Sequence, residues 1–119
     1  MREFTIIGQT PSKANSYKII YIGGHYSLAK TKALTDYEKA FYIQCPIRDM
    51  NIQGYFKVEF DVFFTTLSHD IDNAAKILLD CLQSCKAIKN DNKCVELKMR
   101  KFKDAANPRC IVRIEEVEL

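Results

Sequence analysis

Asp70, Asp72, Lys76 and Asp91 are the residues whose types and spacing could do chemistry. Mg²⁺ is a hard ion that takes oxygen ligands and keeps several waters, so one or two carboxylates plus a substrate phosphate usually hold it. Asp70 and Asp72 straddle Ile71 where a loop runs into a helix. The chain is still extended there, so two carboxylates one residue apart can converge on an ion. Lys76 follows Asp72 by four residues, one turn along the same helix face, where an ammonium could steady an attacked phosphate or a leaving oxygen. Asp91 leaves the far end of that helix and precedes a strand, and the spacing alone leaves its distance from Asp70 open. The same residues also read as plain punctuation. Asp70 suits an N-cap, Asp72 suits the positive end of the helix dipole, and Asp72 with Lys76 is an ordinary i,i+4 pair. Asp91, between Asn90 and Asn92, suits a turn.

The elements that must position these groups are legible from periodicity. Phe4 to Gly8 reads as a short strand. Tyr17–Ile22 and His25–Lys30 flank Gly23-Gly24, a two-residue hairpin signal because both turn positions need positive φ. Thr35-Asp36-Tyr37-Glu38 has capping-box character, so a helix is expected from near Asp36 until Pro46. In Tyr55–Thr66, Phe56, Val58, Phe60, Val62 and Phe64 alternate with Lys57, Glu59 and Asp61, the period of a strand. Ile71 to Cys85 carries an apolar stripe of Ile71, Ala74, Ala75, Leu78, Leu82 and Cys85, broadened by Ile77 and Leu79. Asn90-Asp91-Asn92 is a turn, Cys94–Phe102 a strand, Asn107-Pro108 another turn, and Arg109–Leu119 the last strand. The order is β-(hairpin)-α-β-α-β-β. It predicts a single α+β domain over residues 1–119, with two helices packed on one mixed sheet.

The totals limit the answer without naming it. With 119 residues there is room for one core, and 47% hydrophobic content is ordinary for a globular chain. The net charge of +3 does not announce nucleic acid. Its distribution says more. Residues 11–32 hold Lys13, Lys18, Lys30 and Lys32 and no acid, and residues 86–109 hold eight Lys/Arg against Asp91, Glu96 and Asp104. Such blocks could follow a phosphate backbone or merely solvate strands and turns. The five cysteines have no framework-like spacing and are expected to be reduced thiols in a cytoplasmic protein. Cys81 and Cys85 are four apart, but no Cys-x-x-Cys pair or neighbouring His supports zinc. Neither a signal peptide nor a membrane span is expected.

The run Asp70-Ile71-Asp72-Asn73-x-x-Lys76, then Leu79-Asp80-x-Leu82, then Asn90-Asp91 before a strand, resembles the signature of the RusA Holliday junction resolvases. The stretch Ile6-Ile7-Gly8-Gln9-Thr10-Pro11-Ser12-Lys13-Ala14-Asn15 is similar to that family's opening strand and loop. Length and element order fit over nearly the whole chain. The resemblance implies that Asp70, Asp72 and Asp91 bind Mg²⁺, with Mn²⁺ as a substitute, and that Lys76 is catalytic. It adds Lys13 and Asn15 as DNA or active-site contacts, and it implies a homodimer that cuts symmetry-related strands of a four-way junction in DNA recombination and repair. A prophage is a compatible setting. Two departures are visible: Asn90 stands where relatives often carry an acid, and Ser68-His69 replaces a Pro or basic residue.

Among the remaining residues, His69 beside a ligand reads as a phosphate contact or as support for that ligand, and Asn73 as a DNA contact. Lys98 and Arg100 alternate onto the polar side of their strand and are expected to clamp phosphates. Asp80 is placed to pair with Lys76. His25 suits a solvated turn, and Tyr17, Tyr21 and Tyr26 suit hairpin packing or base stacking. The Tyr55–Thr66 strand and the helix from Ile71 are apolar enough to supply both a core and a dimer interface. The competing readings are a nuclease for other branched DNA, a non-catalytic nucleic-acid-binding relative, and an interaction module whose aspartates only cap helices.

Overall fold

The computed structural model describes all residues 1–119. In chain order the elements are β1 (Arg2–Ile7), β2 (Tyr17–Ile22), β3 (His25–Lys30), α1 (Lys32–Gln44), β4 (Phe56–Phe64) and α2 (Ile71–Ser84). A single 3₁₀ turn (Asp91–Lys93), β5 (Cys94–Lys103) and β6 (Arg109–Glu116) complete the chain. Four strands form one mixed sheet in the order β1-β6-β4-β5, and β2 with β3 form a separate hairpin. This is the α+β arrangement the pattern predicts. No helix is long and apolar enough to cross a membrane.

The core follows from the two periods. Phe56, Val58, Phe60, Val62 and Phe64 of β4 are all fully buried, or nearly so, on one sheet face. Onto them α2 lays Ala74, Ala75, Ile77, Leu78, Cys81 and Leu82, and α1 adds Leu34, Tyr37 and Phe41. Cys81 takes a place in this stripe, while Ile71, expected in it, is exposed. All five cysteines are free, and four of them lie in the core.

Only β4 and β5 run parallel, with Phe56 opposite Cys94 and Phe64 opposite Lys103. A parallel pair needs a crossover, and α2 provides it. The helix therefore starts beyond the C-terminal end of β4 and runs back to where β5 begins. Its 14 residues span about 21 Å.

Several boundaries differ from expectation for local reasons. The first helix starts at Lys32, not near Asp36, because Thr31 is the N-cap: its hydroxyl accepts the Leu34 N–H at 3.2 Å. The Thr35 hydroxyl instead donates back to the Lys32 carbonyl, and Asp36 pairs with Lys32. The strand β4 stops at Phe64 because the Thr65 N–H leaves the ladder for Gln9 Oε1, 2.7 Å away. The last strand ends at Glu116, after which the Val117 N–H bonds to the Tyr55 carbonyl.

The sheet face away from the helices carries an ion-pair network beside the stacked rings of Phe63 and Phe102. There Asp61 accepts from Arg100 at 2.6 Å and from Arg113 at 2.7 Å, and Glu59 joins both arginines. Burial opposes ionisation of Asp61, but the two guanidinium hydrogen bonds more than offset it and hold the carboxyl below its ordinary range.

The apolar residues of β4 and α2 are consumed by the chain's own core, so they do not supply the expected spare surface. That surface lies on the hairpin. Tyr17, Ile19 and Tyr21 share one of its faces with Tyr26 and Leu28, and Ile19, Tyr21, Tyr26 and Leu28 are each at least 64% exposed. Tyr21 and Tyr26 pack on one another across the strands, with ring centroids 5.1 Å apart.

Candidate active site

The site grows from the segment between β4 and α2. Its backbone is irregular, and three tethers hold it. The Thr65 N–H donates to Gln9, the His69 ring lies flat on Phe64 at 4.4 Å between centroids, and Lys101 Nζ donates to the carbonyls of Leu67 (3.0 Å) and His69 (2.8 Å). The buried His69 Nδ1 has no hydrogen-bond partner.

Asp70 occupies the N-cap position with extended backbone, yet its side chain makes no capping bond. The helix-punctuation reading therefore fails at this residue. Asp72 lies in the first turn, where one carboxylate oxygen accepts the Asn73 N–H at 3.0 Å. Neither aspartate takes part in an ion pair. The expected Asp72–Lys76 pair is absent. Lys76 lies instead 3.8 Å from Asp80, largely exposed, as expected of Asp80.

The N-terminal loop is drawn to this helix end because Asn73 Nδ2 donates to the Pro11 carbonyl at 3.3 Å. A cleft results, lined by Ser12, Lys13, Ala14, Ser68, His69 and Asp70. Lys13, a contact the resemblance implies, thus lines the same cleft as Asp70. Asn15 lies in the adjoining turn, where its N–H meets Ser12 and its carbonyl accepts from Thr31. Asn73 serves the scaffold through the amide that holds Pro11.

Asp91 is elsewhere. Its N–H donates to Gln83 Oε1 at 2.9 Å, at the last turn of α2, and the turn itself is capped by Asn90, whose Oδ1 accepts the Asn92 N–H. The Asp91 carboxylate has no partner in the chain, so it does not do the turn's work. The length of α2 separates it from Asp70 by roughly 20 Å. No three His, Cys, Asp or Glu side chains of one chain converge tightly enough to enclose a metal.

Lys98 and Arg100 project from the sheet face opposite the cleft. Arg100 is engaged by Asp61 and Glu59, and Lys98 is 4.0 Å from Glu59. The expected free phosphate clamp is therefore tied into an ion-pair network at Arg100. Gln9, Gln83 and Lys101, to which the sequence assigned no role, hold the segments that carry the site. Lys101 had a visible signal, since it continues the Leu97 and Met99 face of β5, an odd place for a lysine.

Asp70 and Asp72, free of ion pairs, thus stand at a helix start of an α+β domain, with Lys13 and Lys76 on either side. The family model for Endodeoxyribonuclease RusA matches residues 8–115, and the chain belongs to that family of Holliday junction resolvase nucleases. No curated protein sequence matches the chain.

Proposed function

We propose that the protein is a Mg²⁺-dependent homodimer that resolves four-way DNA junctions by hydrolysing phosphodiesters at symmetry-related positions, with Mn²⁺ able to substitute. The observation that carries this reading is the set of three carboxylates free of ion pairs, Asp70 and Asp72 at one end of α2 and Asp91 at the other. A two-fold axis crossing α2 near its middle would set the Asp70 end of one copy beside the Asp91 end of the next. Each of two sites would then draw on both copies.

The donor set fits the ion: all ligands are carboxylate oxygens, and Asp70 and Asp72 are adjacent and unpaired. Mg²⁺ bound there would polarise the phosphate and lower the pKa of an attacking water. Asp70 and Asp72, with Asp91 of the second copy, would hold that ion, and their charge would repel the scissile phosphate in its absence. Lys76 places an ammonium on the same helix face, where it can stabilise charge developing on the leaving oxygen. Lys13 in the cleft and Asn15 in the turn beside it would hold the adjoining phosphates. His69, stacked on Phe64, walls the same cleft.

The test is cleavage of a synthetic four-way junction and of a linear duplex of the same sequence, with and without Mg²⁺. Symmetric cuts in the junction, only with Mg²⁺, are expected. Equal cutting of flaps or forks would move the substrate to branched DNA in general, and binding without cutting in either metal would make the chain a non-catalytic relative.

The second copy has a surface to sit on. At the root of the hairpin's apolar face, Tyr17 and Lys30 line one cleft with Ile77, Asp80 and Gln83, so that face adjoins the flank of α2 leading to Asp91. Ile19→Glu combined with Leu28→Glu should convert a dimer to a monomer at micromolar concentration and abolish cleavage, read by light scattering. A wild-type protein that runs at 13.8 kDa with full activity would end the dimer reading.

A further inference from the structure

Lys101 stands opposite the fully buried Val62, on the β5 face that carries Leu97 and Met99 toward α2. Lys101 is solvent-exposed on this edge strand, and its stem runs along the face before its ammonium reaches polar partners. Its partners are two main-chain carbonyls, Leu67 and His69, and no carboxylate pairs with it. The His69 carbonyl belongs to the same peptide group as the Asp70 nitrogen. That planar unit sets the direction in which Asp70 leaves the backbone. The Asp70 side chain makes no bond that would fix it from within the helix.

We infer that Lys101 is a positioning residue for the metal site, locking the His69–Asp70 peptide so that Asp70 and Asp72 are presented together before any ion binds. The inference rests on the proposed metal role of these aspartates. Charge-assisted bonds to carbonyls are about twice as strong as neutral ones, so two of them can order an irregular segment that has no ladder of its own. Without them, the segment must be ordered at the moment the ion binds, and affinity falls. Partners that orient metal ligands typically change metal affinity or activity by about 10–100-fold when removed.

The experiment compares Lys101→Met, which keeps the stem and loses the donors, with Lys101→Arg, and uses Lys103→Met as the control for charge. Three quantities are read on the intact protein: Mn²⁺ binding by calorimetry, hydrogen exchange of amides 66–72 without metal, and junction affinity against salt in Ca²⁺. Lys101→Met should bind Mn²⁺ about tenfold more weakly and exchange faster over 66–72. Junction affinity and its salt slope should match those of Lys103→Met, and Lys101→Arg should recover most of the loss. Unchanged Mn²⁺ binding and exchange would overturn the inference. A salt slope lower by about one, with metal binding intact, would overturn it too and make Lys101 a phosphate clamp. If the wild-type protein binds no Mn²⁺, the metal reading of the aspartates fails, while the exchange rates still decide what Lys101 does to the segment. A Lys101→Met protein that does not fold leaves the decision to Lys101→Arg, whose two donors should keep exchange slow.

Discussion

Asp70→Asn, Asp72→Asn and Asp91→Asn are each expected to reduce junction cleavage on the order of a thousandfold while binding survives. The size follows from losing several kcal/mol of charge stabilisation by a bound ion, at 1.36 kcal/mol for each tenfold in rate. Binding survives because the substitution removes negative charge beside the phosphates. Near-normal Mg²⁺-dependent cleavage by any one variant would remove that residue from the metal site. Mixing the variants separates two arrangements. If each site joins Asp70 and Asp72 of one copy to Asp91 of the other, a heterodimer of Asp70→Asn with Asp91→Asn has one site with both lesions and one intact site. It should nick a single strand of the junction. If all three aspartates act within one copy, every site in that heterodimer is damaged and no nicking appears.

Lys76→Ala should slow single-turnover cleavage by about a hundredfold or more, with junction affinity little changed. A group that acts on charge developing in the transition state is felt in the rate, whereas a phosphate contact is felt in affinity and its salt dependence. The geometry sharpens this expectation. Lys76 is exposed and only loosely paired with Asp80 at 3.8 Å, so it can turn toward substrate without breaking a strong ion pair. Loss of affinity in proportion to rate, or recovery at saturating protein, would make Lys76 one more phosphate clamp. Arg100 offers the contrast. Its substitution should act first on the Asp61 network and thus on stability, because Asp61 is held by it and by Arg113.

The elements themselves were legible because their causes are local. Alternation in β4, the apolar stripe of α2 and the Gly23-Gly24 turn each depend on neighbours within a few residues, and all three appear where the pattern puts them. The start of α1 departs from the Thr35 capping box because the hairpin's end, through Ser16 and Asn15, fixes Thr31 where it caps the Leu34 N–H. The placement of Asp70, Asp72 and Lys76 on the first turns of α2 was also legible, since helix geometry is local, although Lys76 lies beside Asp80 and not Asp72.

What the amino-acid sequence determined by itself is therefore the kinds of elements, the identity of the chemical groups and, through the Asp-x-Asp-Asn-x-x-Lys run, the family. Only the tertiary structure decided where those groups stand. Parallel pairing of β4 with β5 sends α2 back along the sheet and leaves Asp91 a helix length from Asp70. Folding of the N-terminal loop onto Asn73 brings Lys13 to Asp70, 57 positions away in the chain. Sheet alternation, read with the ion pairs it creates, turns Arg100 toward Asp61 and Lys101 toward His69. The physical reason is common to all three. Periodicity fixes which way a side chain points relative to its own element, but strand order and crossover direction fix what it meets there.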